Sequence, residues 1–127
     1  PYTGTIRARV EKLEPGAAEV LMRDRRRVRN HLNSIHAIAL ANMGEFSTGL
    51  SVTTRLPPGA RAILKSIRVE FLKKARGDLR ARARCPVTFP SAEALTRTTV
   101  EVTGEIFDAA GDCVSRVRAE WVVGPGR

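Results

Sequence analysis

One helical segment constrains this chain more than any other feature. Asn33-Ser34 is a good N-cap pair, and the segment after it is apolar almost all round, through Ile35, Ile38, Ala39, Leu40, Ala41, Met43, Phe46 and Leu50. The β-branched residues 52–54 weaken the helix, and Leu56-Pro57-Pro58-Gly59 ends it. A helix of this kind has to be covered by the rest of the chain.

The other regular segments have the two-residue alternation of β-strands. The predicted strands are Thr5 to Leu13, Ala17 to Met22, Ala62 to Lys74, Leu79 to Thr88, Leu95 to Phe107 and Cys113 to Val123. This order predicts an α+β domain in which about six antiparallel strands, the last four as a meander, curl around one central helix. The 127 residues fit one domain, 1–127, and because the sequence opens at Pro1 we allow for a missing N-terminal segment.

The charge of the chain predicts an acidic partner. A net charge of +9 suits nucleic acid, anionic lipid or a polyphosphate compound. The triplet Arg25-Arg26-Arg27 and the row Arg80, Arg82, Arg84 could follow a phosphate backbone. However, only 5% of the residues are aromatic and none lies among these arginines, which disfavours a sheet that stacks bases. We expect Glu101 and Glu105 to form ion pairs with the row, and we predict no nucleic-acid partner.

Several classes of protein are disfavoured by what the sequence lacks. No stretch approaches the roughly 18 apolar residues of a membrane span, and no leader pattern opens the chain, so we expect a cytoplasmic protein without a membrane partner. Cys85 and Cys113 have no CxxC spacing and are predicted to be buried free thiols. Two cysteines and two histidines without ligand spacing predict no metal site.

Glu45 and His36 are the strongest candidates for chemistry. Burying a carboxylate in an apolar helix costs several kcal/mol unless it is partnered, so Glu45 is either functional or a satisfied structural residue. His36 is placed in the first helical turn, where backbone N–H groups and the helix dipole favour negative charge, although many such histidines only cap a helix. His31 is assigned to a loop.

The spacing of the two candidates restricts how they can cooperate. His36 and Glu45 are nine positions apart, which is about 13 Å along a straight helix, and the side chains point to opposite sides. One chain cannot direct both at one carbonyl. If both act on the same substrate, Glu45 of one subunit meets His36 of another across a symmetric dimer.

The pattern Asn30-x5-His36-x8-Glu45, followed by the turn Ala75-Arg76-Gly77-Asp78-Leu79, resembles the hotdog-fold thioesterases of the phenylacetate-pathway (PaaI-like) type. Within that group it is most similar to the tetrameric acyl-CoA thioesterases, and the similarity runs from Pro1-Tyr2-Thr3-Gly4 to the last strand. The resemblance implies a hotdog fold, a homodimer or homotetramer, and hydrolysis of an acyl-CoA to free acid and CoA. It implies no cofactor, because CoA is part of the substrate.

The resemblance also implies residue roles. Glu45 would be the nucleophile or general base, and the N–H of Ala37 from the partner subunit would polarise the thioester carbonyl. His36 and Asn30 would position the site and the attacking water. Residues expected to contact substrate are Ile38, Gly44 and Thr48.

One departure from the family leaves alternatives open. The family usually has His-Gly-Gly where this chain has His36-Ala37-Ile38, so Ile38 narrows the approach to the site. A non-catalytic acyl-CoA-binding protein is the main alternative, and a hydratase would need a differently spaced Asp and His pair. Four points stay open: which acyl group is cleaved, whether the protein is a dimer or a tetramer, whether Glu45 is the base or the nucleophile, and which arginines bind CoA.

Overall fold

The computed structural model describes residues 7–25, 28–30 and 35–126. In chain order the elements of this part are β1 (Arg9–Glu14), β2 (Ala17–Met22), α1 (Ala37–Thr53), β3 (Ala60–Phe71), β4 (Leu79–Arg84), β5 (Thr98–Phe107) and β6 (Cys113–Pro125). The helix contacts every strand, so the sheet curves around it. The predicted α+β architecture, with one central helix and six antiparallel strands, is confirmed.

The strand order corrects the predicted meander. The sheet runs β1-β2-β4-β5-β6-β3, and all neighbours are antiparallel. Only β4, β5 and β6 form a meander, whereas β3 pairs with β6 from Ala60↔Pro125 to Phe71↔Ser115. The 17-residue helix, about 25 Å long, carries the chain from β2 to the far edge of the sheet.

Small residues let the helix pack closely against the sheet. A Cβ atom at Gly44 would overlap the side chain of Val117, and one at Gly49 would lie 2.9 Å from the indole of Trp121. The inner face of α1 is therefore in direct contact with β6. The buried residues of the helix are Ala39, Leu40, Met43, Gly44, Ser47, Thr48, Gly49, Ser51 and Val52.

Three hydroxyl groups on this inner face are satisfied within the fold. Ser47 Oγ and Thr48 Oγ1 donate to the Gly44 carbonyl at 3.3 and 2.7 Å, and Ser51 Oγ donates to the Thr48 carbonyl at 2.6 Å. Thr48 Oγ1 also accepts from Trp121 Nε1 at 3.1 Å. These hydrogen bonds satisfy the hydroxyl groups of the inner face where α1 packs against β6.

The edge strands differ from the sequence expectation. All residues of β1 are exposed, although a half-buried strand was predicted, because β1 is an outer edge with a register shift between Val10 and Lys12. Strand β3 has a register shift between Leu64 and Ser66. The apolar side chains of Ile63, Ile67 and Phe71 on this strand are exposed.

Strand β4 is shorter than predicted. It ends at Arg84 and not at Thr88. Pro86 has no N–H to donate to a neighbouring strand, which limits further pairing of this segment. The residues after Cys85 form a loop that leads to β5.

Two members of the arginine row, Arg80 and Arg82, are paired, but not with the predicted partners. Arg80 bonds Glu11 at 2.8 Å, which raises the pKa of Arg80, and Arg82 lies 3.4 Å from Glu19. Glu105 lies opposite both Arg82 and Arg116 in the sheet register, but its carboxylate contacts Arg116 at 3.5 Å. The acidic partners of the row thus come from β1 and β2 and not from Glu101 and Glu105.

Two further expectations are tested by the fold. Cys85 and Cys113 are free thiols as predicted, but only Cys85 is buried and Cys113 is half-buried. Among the described residues, no helix has the length and apolar character needed to cross a membrane.

Candidate active site on the central helix

The helix begins two to three residues later than predicted. His36 is the N-cap residue, with extended backbone angles of φ −64° and ψ 140°, and its Nδ1 accepts from the Ile38 N–H at 3.0 Å. The N-cap expected at Asn33-Ser34 is therefore wrong, and those two residues lie outside the described part of the chain. Because Nδ1 accepts, the neutral imidazole holds its proton on Nε2.

Two neighbouring segments fix the helix start. The His36 N–H donates to the Val28 carbonyl at 2.6 Å, and the Ile35 N–H donates to the Ala75 carbonyl at 2.7 Å. Arg29 and Ile35 form an isolated antiparallel bridge. Asn30 follows directly and is half-buried, so the pairing brings it to the same end of the helix as His36.

The first helical residue has no partner for its backbone N–H within the helix. Ala37 is exposed, and a residue at the first helical position has no carbonyl four residues earlier in the helix to bond. The helix dipole adds partial positive charge at this end. Ile38 is 58% exposed beside it, with its own N–H bonded to His36. This end of the helix suits a developing oxyanion.

Glu45 lies on the outer face of α1, away from the sheet. The residue is half-buried, and its Oε1 accepts from Asn42 Nδ2 at 3.3 Å. The other amide atom, Asn42 Oδ1, is buried and accepts no hydrogen bond from any described residue. The sequence analysis missed Asn42, although a spacing of three residues places it beside Glu45 on a helix.

An open apolar groove begins at Glu45 and follows the helix toward its C-terminal end. Its volume is about 260 Å³, and among its described lining residues only Glu45 is ionisable. Gly49 allows the helix to approach Trp121, so the indole forms part of the lining. The lining residues are Glu45, Phe46, Gly49, Leu50, Thr53 and Trp121.

Two residues predicted to contact substrate lie elsewhere. Gly44 and Thr48 are buried on the inner face, against Val117 and Trp121, so a molecule in the groove would not touch them. Ile38 lies two turns before Glu45, at the exposed start of the helix. The apolar lining residues were not predicted, because a helix that is apolar all round gives no signal for which side faces the sheet.

A single chain does not bring the two candidate groups together. His36 and Glu45 lie at opposite ends of a nine-residue stretch, about 13 Å apart along the axis. A larger depression of about 710 Å³ lies on the outer face of the sheet, lined by charges of both signs that include Arg82, Glu19 and Glu101. Within residues 7–25, 28–30 and 35–126, no cluster of His, Cys, Asp and Glu could hold a metal ion, and the absence of a metal stays a prediction.

Sequence comparison identifies the family. A profile described as "Domain of unknown function (DUF4442)" matches residues 1–123. The chain belongs to the DUF4442 family. A search of curated proteins by sequence finds no match.

Solved structures identify the fold of this DUF4442 domain. The structural-genomics protein APC5556 is 31% identical, with a TM-score of 0.85 over 99% of this chain and 82% of that chain. A thioesterase family protein from Silicibacter pomeroyi is 20% identical, with a TM-score of 0.84 over 99% and 90%. A phenylacetic acid degradation-related protein from Ralstonia eutropha is 23% identical, with a TM-score of 0.79 over 95% and 88%. The resemblance to the hotdog-fold, PaaI-like thioesterases is thus confirmed in the fold.

Proposed function

We propose that this DUF4442 domain hydrolyses acyl-CoA thioesters, with Glu45 as the group that activates the attacking water. The observation that carries the proposal is the position of Glu45, a half-buried carboxylate at the start of an apolar groove. A fatty or aromatic acyl group would occupy such a groove, and the thioester carbonyl would then lie beside the carboxylate.

The proposed reaction uses groups from two helices. A water oxygen attacks the thioester carbonyl carbon while Glu45 takes one water proton. The Ala37 N–H of a second subunit stabilises the oxyanion, with His36 holding the helix start in place. The C–S bond then breaks, and the CoA thiolate leaves and takes the proton from Glu45. The products are a carboxylic acid and CoA.

An exposed sheet edge supports the dimer that this reaction requires. Strand β3 is a 12-residue edge strand, and long apolar edges are rarely left uncovered in monomers. Ile63 and Phe71 are each 57% exposed along it, and Leu72 follows at 47%. Two copies pairing through β3 about a two-fold axis would cover this edge. We further propose that two such dimers can join into a tetramer.

Basic residues beside the helix start support CoA as the leaving group. Lys74 and Arg76 are exposed and flank Ala75, whose carbonyl binds the Ile35 N–H. Neither forms an ion pair with a described residue. Unpaired cations near the reacting carbonyl suit the phosphates of CoA.

Thiol release from a panel of short, medium, long and aromatic acyl-CoAs tests this function. Glu45→Gln should lower kcat by about two orders of magnitude or more, because an amide cannot accept the proton. Glu93→Gln, in the exposed β4–β5 loop, is the matched control and should behave like the unmodified protein. Binding of acyl-CoA without thiol release, in both the unmodified protein and Glu45→Gln, would overturn hydrolysis and favour the binding protein.

A further inference from the structure

Strand β3 has backbone groups on its open side that only another strand can pair. The Leu72 N–H donates to the Val114 carbonyl on β6 at 2.9 Å, and the Glu70 carbonyl accepts from Ser115 Oγ at 2.8 Å. Residues along a strand direct their N–H and C=O groups alternately to its two sides. The residues between and before these two therefore direct their groups away from β6, namely Ile67, Val69 and Phe71.

Arg68, on the outer face of β3, has a basic neighbour across the sheet. It is exposed, lies directly opposite Arg118 on β6, and forms no ion pair with a described residue. Like charges directly opposite each other destabilise a sheet. Glu70 is two positions along the same face, and its side chain is 38% exposed. An acidic group from a neighbouring strand would balance Arg68, and a basic one would suit Glu70.

We propose that two subunits pair through residues 66–72 with the two-fold axis at Val69. This inference rests on the dimer of the proposed function and fixes its register. Arg68 of each subunit then lies opposite Glu70 of the partner subunit, so two interchain ion pairs form. These positions are not joined by backbone hydrogen bonds, which is where opposite side chains approach most closely. Glu70 Oε1 is buried and faces Arg118 at 3.4 Å, so Oε2 is the acceptor for the partner's Arg68.

The neighbouring registers that also match the backbone groups are less favourable. An axis at Arg68 or at Glu70 sets that residue opposite its own copy, which puts like charges together. An axis at Ile67 brings the register shift after Leu64 into the pairing. The axis at Val69 sets opposite charges together and leaves the register shift outside the paired segment.

The same register covers apolar side chains on the helix side of the sheet. Ile67 is 38% exposed and Phe71 is 57% exposed in the single subunit, and each lies opposite the other across the axis. Val69 packs against the same core cluster as Phe46 and Leu50, which line the groove. The subunits are thus joined through a strand that packs with the groove residues, as a shared site requires.

Two charge-reversed variants test the register when they are mixed. In a homodimer, Arg68→Glu places a glutamate opposite each Glu70, and Glu70→Arg places an arginine opposite each Arg68. The dissociation constant of each variant alone should rise about tenfold or more, because both pairs are of like charge. In a mixed dimer both pairs are again of opposite charge, and the dissociation constant should return to within about threefold of the unmodified value. Analytical ultracentrifugation measures all four preparations.

Matched controls carry the same charge changes away from β3. Arg84→Glu lies at the exposed end of β4, two strands away from β3, and Glu93→Arg lies in the exposed β4–β5 loop. Both should dimerise like the unmodified protein. Recovery of the dimer on mixing also shows that Arg68→Glu and Glu70→Arg are folded, because unfolded chains could not form it.

A cysteine scan locates the axis independently. A residue on the axis lies opposite its own copy, with Cα atoms about 4.5–5.5 Å apart, which a disulfide can bridge. A residue one position from the axis is about 8 Å from its copy, which is too far. Oxidation should link Val69→Cys dimers in higher yield than Ile67→Cys, Arg68→Cys or Glu70→Cys. The unmodified protein controls for the free thiols of Cys85 and Cys113.

The outcomes distinguish this register from the proposed function. No recovery of the dimer on mixing, or the highest disulfide yield at a position other than Val69, would overturn the register and leave thioester hydrolysis standing. Recovery on mixing together with the highest yield at Val69 would support the register. If that dimer released no thiol from any acyl-CoA, the proposed hydrolysis would be overturned and the register would stand.

Discussion

The inner and outer faces of α1 differ in how their polar groups are satisfied. On the inner face Ser47, Thr48 and Ser51 all donate to helix carbonyls, and Thr48 also accepts from Trp121. On the outer face Asn42 Oδ1 is buried without a donor among the described residues. Satisfied polar groups stabilise a fold, whereas unsatisfied ones tend to occur at functional sites. The carboxylate of Glu45 lies on the face with the unsatisfied group, which supports its proposed role in binding or catalysis.

The two faces also differ in packing. The inner face has no space for a side chain at Gly44, while the outer face leaves a groove beside Glu45 and Ile38 exposed at its start. Substitutions on the inner face should therefore change stability, and those on the outer face and at the helix start should change turnover. Three variants test this division.

The largest effect is expected for Ala37→Pro, which removes one backbone N–H. Proline is well tolerated at the first helical position, and His36 already has the extended backbone that precedes proline. The loss of one oxyanion donor should lower kcat about 100- to 1000-fold with little change in thermal stability. Ala37→Gly keeps the N–H, and its kcat should fall far less. Turnover by Ala37→Pro close to that of Ala37→Gly would exclude this N–H from catalysis.

Gly44→Ala should act on stability alone. The added methyl group overlaps Val117 on a buried strand, and overpacking of this kind costs about 1–3 kcal/mol. Ala41→Ser, half-buried on the other side of the helix, should cost less than about 0.5 kcal/mol. Denaturant unfolding measures both. Equal midpoints for the two variants would contradict the assigned orientation of the helix.

Trp121→Phe should have a smaller effect, and it should change both the stability of the domain and its acyl preference. Trp121 Nε1 bonds Thr48 on the inner side, and the indole ring also lines the outer groove. Loss of the N–H donor should destabilise the domain by about 1 kcal/mol. The relative rates on short and long acyl-CoAs should change together with the stability. A change in stability with unaltered acyl preference would show that the acyl group does not reach Trp121.

Local patterns in the sequence were sufficient to predict the elements. Two-residue alternation located all six strands, and a long apolar segment located the helix. The spacing of Asn30, His36 and Glu45 also located the candidate residues on this helix and at its start, and their roles stay predictions. These features depend on residues close together in the chain, which is why they can be read without knowledge of the fold.

Features that depend on distant neighbours were not predictable. The pairing of β3 with β6 and the register shift after Leu64 are set by contacts across the sheet. The placement of Gly44 and Thr48 on the inner face was missed because the helix is apolar all round and has no distinct polar side. Asn42 was missed because its significance lies in an unsatisfied atom, which only the folded arrangement reveals.

Complementation between two inactive variants tests the central claim most directly, namely that Glu45 and the Ala37 N–H act together across two subunits. Glu45→Gln and Ala37→Pro are coexpressed in equal amounts, and thiol release is compared with that of each variant alone. Half of the dimers will be mixed, and each mixed dimer should contain one intact site, so activity should recover to about a quarter of the unmodified level. Activity no higher than that of the separate variants, in a preparation shown to contain mixed dimers, would contradict a site shared between subunits.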